Sequence, residues 1–384
     1  MSHLPDGVLA DVLPAAAAAL GVPLPPAPGR AVPAWSLPSA ARVCVFLVDG
    51  LGERLLAERG GHAPALRELL AQPADGAARV LESGFPSTTA TSMGSFGTGS
   101  DAGTHGMLGY QVLDPTRDRL LNELSWDPDV DPRAWQRRPT VFEEVAAAAV
   151  ETFHIGPRFF AGSGLTEAAL RGPKFIAAES LADRVDAAAA AMRSAPRTLV
   201  YLYWGDVDKT GHVHGCGSWQ WGEELAQVDL AVRELSARLP ADGLLLVTAD
   251  HGMVDIPAHA RIDLASDPEL AQGVRLTGGE PRAPMLYTEP GQAEAVLTRW
   301  RARLDGRAAV LSRDEAVAAG WFGTVLEENL PRIGDVVVSV EDVLSVHDSR
   351  HQRPELMKLV GLHGARTEAE TRVPLLRVAG SAIG

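Results

Sequence analysis

The chain is predicted to be an α/β protein, a doubly wound and mainly parallel central sheet with a small α+β insertion. Three observations predict it. Apolar runs at 42–48, 78–82, 152–155, 198–203 and 243–248 alternate with helix-compatible stretches at 53–71, 140–149, 180–193 and 219–238, the rhythm of parallel strands covered by helices on both faces. Runs such as VCVFLV and LLLV are apolar throughout, as strands buried on both sides are. After Asp255 the rhythm changes: RAPMLYTE reads as a strand, 293–304 as an amphipathic helix, and AAVLSRDEAVAAG and DVVVSVED as further strands. The expected organisation is therefore a core over 1–255 with a helical or partly ordered leader at 1–40, an insertion over 256–350, and a return to the core over 351–384.

With 384 residues, 46% of them apolar, the chain can bury one large core. Its 35 basic and 49 acidic residues give a net charge of −14, which repels nucleic-acid polymers. A small anionic substrate then needs local positive charge, and bound divalent metal ions supply it. Two cysteines, Cys44 and Cys216, offer no disulfide framework. The N-terminus lacks a basic, uninterrupted signal segment, and no run nears the roughly 18 apolar residues that span a bilayer. A cytoplasmic protein with no membrane segment is expected. Oligomeric state is not legible in these patterns.

The chemistry lies where the strands end. TADHGMVD places Asp250 and His251 after the run 244–247, LVDGLG places Asp49 after 43–48, and YWGDVDKTGHVHG places Asp206, Asp208, His212 and His214 after 198–203. GLHG adds His363. Ligands of open α/β sheets bind outside the carboxyl ends of the strands, so these groups can converge there. GFPSTTATSMGSFGTG follows a strand and offers Ser87, Thr88, Thr89, Thr91 and Ser92 at a helix start, where a hydroxyl meets unpaired N–H groups and the positive helix end. Any one segment has a bland reading as a turn, a cap or a loop histidine; four ligand-bearing strand ends with a hydroxyl cluster among them do not.

As an ordered set these residues resemble the nucleotide pyrophosphatase/phosphodiesterase group of the alkaline phosphatase superfamily. The matching positions are Asp49, the segment FPSTTATSMGSFGTG, Asp208 with His212, Asp250 with His251, and GLHG with His363. The resemblance implies an alkaline-phosphatase-like fold, with Thr89 as the nucleophile and Thr88 its nearest rival. It implies two divalent metal ions, zinc first among them: Asp49, Thr89, Asp250 and His251 would hold one, and Asp208, His212 and His363 the other. Where the family places an Asn toward the phosphate, THGMLGYQ offers Tyr110 as a hydrogen-bond donor instead. His214, two residues beyond His212, would face the substrate if the segment is extended.

The implied activity is metal-dependent hydrolysis of a phosphodiester or pyrophosphate bond in a small organic phosphate, nucleotides included, through a phosphothreonine. A phosphomonoesterase or a phosphonoacetate-hydrolase-like enzyme is the alternative within the superfamily, and a non-catalytic metal-binding protein the alternative outside it. The diester reading is preferred because no Arg or Lys lies between Phe85 and Tyr110 to meet a dianionic phosphoryl group. The nearby candidates by sequence are Lys209 and Arg117, and a distant arginine folding into the site, Arg158 or Arg282 for example, would weaken this preference.

Overall fold

A computed structural model of the chain describes residues 5–72, 76 and 78–381. The central sheet has eight strands in the order Gly7–Val8, Val80–Glu82, Arg372–Ala379, Gly243–Thr248, Arg42–Val48, Thr198–Trp204, Glu151–Gly156 and Lys174–Ala177. Only Arg372–Ala379 runs against its neighbours. Arg42–Val48 and Gly243–Thr248 are buried along nearly their whole length, as the continuous apolar runs require of strands with helices on both faces. This is the fold class expected from the sequence.

Registers align the strand ends. Leu47 pairs with Thr248 and Val48 with Trp204, so the residues that follow, Asp49, Asp250 and the turn before Asp206, leave the sheet at one edge. Two local expectations, the helix over 53–71 and the strand at AAVLSRDEAVAAG, are corrected. The helix expected over 53–71 is two, Glu53–Arg59 and Pro64–Ala71; the second opens on a proline, which suits a first helical turn and not a helix interior. The leader expected to be helical or partly ordered does carry a helix, Val12–Ala19, and it packs into the core: Leu9, Val12, Leu13, Ala16 and Ala17 are fully buried. AAVLSRDEAVAAG holds a strand, Ala308–Ser312, and then a helix, Arg313–Ala318, capped by the Ser312 hydroxyl on the Glu315 N–H.

Beyond Asp255 the chain builds a second, four-stranded antiparallel sheet in the order Val274–Glu280, Ala283–Thr288, Val336–Val340, Ala308–Ser312. It buries a separate apolar cluster that includes Leu270, Leu286, Val296 and Trp300. The strand Val274–Glu280, with two glycines and alternating polarity, is not evident in the sequence. Its hairpin is fastened to the core by Arg282, whose guanidinium donates to Glu370 at 2.9 and 2.7 Å and to three backbone carbonyls.

Candidate metal centre

Four backbone segments bring the acidic and imidazole groups together. Asp49 follows Arg42–Val48 and Asp250-His251 follows Gly243–Thr248. Asp208 and His212 sit on the helix Asp206–His214, bounded by Gly205 and Gly215. At a spacing of four residues they share one helix face, with His212 Nε2 3.3 Å from Asp208 Oδ2. His363 is delivered by Gly361–Leu362, which pairs with Val254–Asp255 just after the Asp250-His251 segment. Close backbone approach makes this possible: a Cβ on Gly52 would stand 2.7 Å from the Gly252 Cα.

The groups form two overlapping sets. Asp208, His212 and His363 can direct one atom each to a common point, and so can Asp49, Asp208 and His251. Asp250 borders the second set, its Oδ2 3.6 Å from His251 Nε2. Each histidine is aimed by its other nitrogen: Nδ1 of His212, His251 and His363 lies 2.7, 2.9 and 2.9 Å from the carbonyls of Gly361, Gly252 and Ser87. Such a bond makes Nδ1 the donor and leaves Nε2 with a lone pair for a cation. Asp49 Oδ1, Asp208 Oδ1 and Asp250 Oδ2 are buried with no hydrogen-bond partner among the described residues, an arrangement that costs several kcal/mol unless positive charge meets it. The donor set thus fits divalent metal ions.

Electrostatics point the same way. Burial, then the charges of Asp250 and Asp208, pushes Asp49 well above the ordinary carboxylate range. Burial and Asp208 push Asp250 up to about 7. Burial also raises Asp208, but the imidazoles of His212, His363 and His251 outweigh it and hold that carboxyl well below its ordinary value. Burial lowers His212, yet Asp208 carries it up to about 9. His363, stacked on His251 at 3.7 Å, is driven well below its ordinary value by burial and by that neighbour. Three carboxylates cannot all ionise here without added positive charge.

Thr89 opens the helix Thr89–Thr98 with its hydroxyl 3.4 Å from Asp49 Oδ2 and 3.3 Å from His251 Nε2. Its rival Thr88 is buried and donates instead to Glu280 Oε1 at 2.5 Å. Tyr110 is half-buried; burial raises its hydroxyl's pKa, opposed by a hydrogen bond with Asn122, while Glu280 raises it further and Arg353 lowers it. It stands beside Glu280, and nothing places it on Thr89. His214 is a correction: its segment is helical, so His214 lies roughly 200° around the axis from His212, exposed and 3.5 Å from Gln220 Nε2. Cys216 is buried, burial pushes its thiol up, and it joins neither donor set.

Two groups went unseen in the sequence. Tyr203 donates to Asp49 Oδ2 at 2.5 Å; its alternation with Tyr201 on the strand before Asp206 was a usable signal. Glu280, which burial raises to about 8, arrives from the insertion and carries no local signal.

The profile of the type I phosphodiesterase / nucleotide pyrophosphatase family matches residues 43–366. The chain belongs to this family. As a type I phosphodiesterase it is a metal-dependent hydrolase of phosphoester or pyrophosphate bonds. Murine ectonucleotide pyrophosphatase / phosphodiesterase 5, solved in an inactive form in complex with AMP, superposes with a TM-score of 0.69 at 17% identity, covering 89% of this chain and 88% of that one. The human protein of the same name gives 0.67 at 18%, covering 89% and 88%. Phosphonoacetate hydrolase from Sinorhizobium meliloti, in complex with phosphonoacetate, gives 0.68 at 19%, covering 90% and 91%. No curated protein sequence matches the chain. These structures establish that the type I phosphodiesterase fold here is alkaline-phosphatase-like. Among the described residues no helix is long and apolar enough to cross a membrane.

Proposed function

We propose that the protein cleaves a phosphodiester or pyrophosphate bond of a small organic phosphate in two steps, through a phosphothreonine at Thr89. The position of the Thr89 hydroxyl, between Asp49 and His251 at a helix start, carries this reading. Three hydroxyls of the same segment are committed elsewhere, Ser87 to the Ala365 carbonyl, Thr88 to Glu280 and Ser92 to the Asp250 carbonyl, while that of Thr91 is buried without a partner among the described residues and lies on neither Asp49 nor His251. Two divalent ions, zinc by the mixture of carboxylate and imidazole donors, would be held by Asp49, Thr89, Asp250 and His251 and by Asp208, His212 and His363; when bound they supply positive charge that acidifies a hydroxyl and stabilises charge at phosphorus. Thr89 Oγ1 bonds to phosphorus as the leaving oxygen departs from the opposite side, and Asp49 Oδ2 is an acceptor near its proton. Tyr203 holds Asp49 in place through that same oxygen. Water then displaces Thr89 from phosphorus and restores the hydroxyl.

A diester fits better than a monoester or a phosphonate carboxylate. A second negative charge calls for a fixed cation. Arg282 is consumed by Glu370, Arg117 by Asp114 and Asp129, and Lys209 and Arg158 are exposed. Beside Tyr203, the partner of Asp49, Phe160 packs at 5.4 Å and Phe159 is 73% exposed, aromatic side chains of the kind on which a nucleobase can stack. The murine protein's complex with AMP accords with such a group.

The test combines rapid acid quench, peptide mass spectrometry and kinetics on an alkyl nitrophenyl diester and its matched monoester. Phosphate on Thr89, a loss of about 10³-fold or more in Thr89→Ala at unchanged metal content, and a higher kcat/KM for the diester are expected. Full activity in Thr89→Ala would overturn the nucleophile, and a monoester preference would overturn the substrate class.

A further inference from the structure

We infer that Glu280, brought by the insertion, is a positioning residue for the nucleophile's helix: by engaging the Thr88 hydroxyl it keeps the first backbone N–H groups of that helix free for a phosphoryl oxygen. The inference rests on the reading of Thr89 as the nucleophile. Thr88 is the N-cap residue of Thr89–Thr98, with extended backbone at φ −143° and ψ 150°. A threonine there ordinarily accepts from the N–H two or three residues on. At five other helices that rule is followed: Thr140 accepts from the Glu143 N–H at 3.1 Å, and Ser163, Ser180, Ser218 and Ser312 cap their helices likewise, whereas Thr367, whose hydroxyl donates to Glu370 within its own four-residue helix, does not.

Thr88 makes no such bond: Thr140 donates to the Arg171 carbonyl and still caps, so it is not donation itself but the orientation that points the Thr88 hydroxyl at Glu280 Oε1 that leaves this helix uncapped. The first satisfied N–H at this end is that of Ser92, bonded to the Thr88 carbonyl at 2.9 Å. The N–H groups of Thr89, Ala90 and Thr91 have no partner among the described residues. Three unpaired donors at the positive end of a helix, next to the Thr89 hydroxyl and the carboxylates with unpartnered oxygens, form a cradle for an anion. A capping Thr88 would withdraw one donor from it.

Glu280 is otherwise hard to explain. It is 8% exposed, no arginine or lysine pairs with it among the described residues, and an unpaired buried carboxyl lowers stability. Space is made for it: a Cβ on Gly364 would stand 2.6 Å from the Glu280 Cβ, so the last glycine of GLHG admits the insertion's side chain beside His363. The Arg282 clamp then fixes the hairpin that carries it.

The variants Glu280→Met, Glu280→Gln and Glu280→Met combined with Thr88→Val test this. Glu280→Met keeps the volume but removes the acceptor, and kcat on the diester is expected to fall about a hundredfold at unchanged metal content, with KM moving less. Glu280→Gln offers Thr88 an oxygen and restores most of the loss. The double variant also recovers, because no hydroxyl remains to cap. In the metal-free protein, amide hydrogen exchange at Ala90 or Thr91 slows in Glu280→Met and not in the double variant. A Glu280→Gln protein as slow as Glu280→Met, or a double variant that does not recover, would overturn the inference. The exchange is read without substrate: a parent that cleaves no phosphate ester would refute the proposed function, while exchange unaltered by Glu280→Met would refute this inference separately.

Discussion

At the scale of single residues, buried acids set the behaviour of this protein with pH. Glu123 is fully buried, accepts from Trp135 Nε1 at 2.7 Å and from the Leu108 N–H at 2.9 Å, and so holds the loop that leads to Tyr110. Burial pushes its carboxyl from 4.5 up to about 7. At acid pH the group is protonated in folded and unfolded chains alike. As pH rises through that window the unfolded chain releases the proton and the folded chain keeps it, so stability falls and then levels. Relative to the parent, Glu123→Gln is expected to gain roughly 3 kcal/mol between the two ends of the window, read from urea unfolding at a series of pH values. Parallel slopes for parent and variant would show that Glu123 folds ionised. His214 shows the limit of residue-level reading: its type suited the chemistry, and only the backbone conformation decided where it points.

At the scale of elements, the helix that Thr89 opens is held by close contact more than by propensity. Thr89–Thr98 contains Gly94 and Gly97, and each glycine costs a helix about 1 kcal/mol against alanine. A Cβ on Gly97 would stand 1.8 Å from the Ala169 carbonyl oxygen, a backbone atom that cannot step aside. Gly97→Ala is therefore expected to lower stability by about 1–3 kcal/mol despite its better propensity, measured by thermal unfolding, and a raised melting temperature would refute the contact. Asp206–His214 teaches the same lesson. DVDKTGHVH has poor intrinsic helix formers, and its helix is decided by Gly205 and Gly215 at its ends and by packing. Asp208 and His212 were legible as ligand types at a spacing of four, while their common helical face was not.

At the scale of the whole molecule, the ligand cluster joins segments from Asp49 to His363, so the ions it fits would cross-link most of the chain. Chelation is expected to lower the melting temperature as well as activity, since a ligand present at about 100 times its Kd adds about 2.7 kcal/mol to the folded state. Calorimetry of protein with and without chelator, alongside elemental analysis, checks this. Metal loss without a change in melting temperature would show that the cluster is not ion-bridged. The insertion is part of the same assembly: the Arg282–Glu370 pair, 1% and 0% exposed, locks its hairpin against the core and presents Glu280 to Thr88.

Sequence alone determined the parallel sheet, because strands buried on both faces must be apolar throughout, and it determined Asp49, Asp250 and His251, because polar ligand types directly after such strands have no packing role. It also carried the Thr89 segment and the GLHG motif by their order along the chain. Only the tertiary structure decided the packed leader, the hydrogen-bond partners of Thr88 and Thr89, the direction of His214 and the presence of Tyr203 and Glu280. Those depend on contacts between residues far apart, 192 positions in the case of Thr88 and Glu280, and no local pattern encodes which distant carboxyl a hydroxyl will meet.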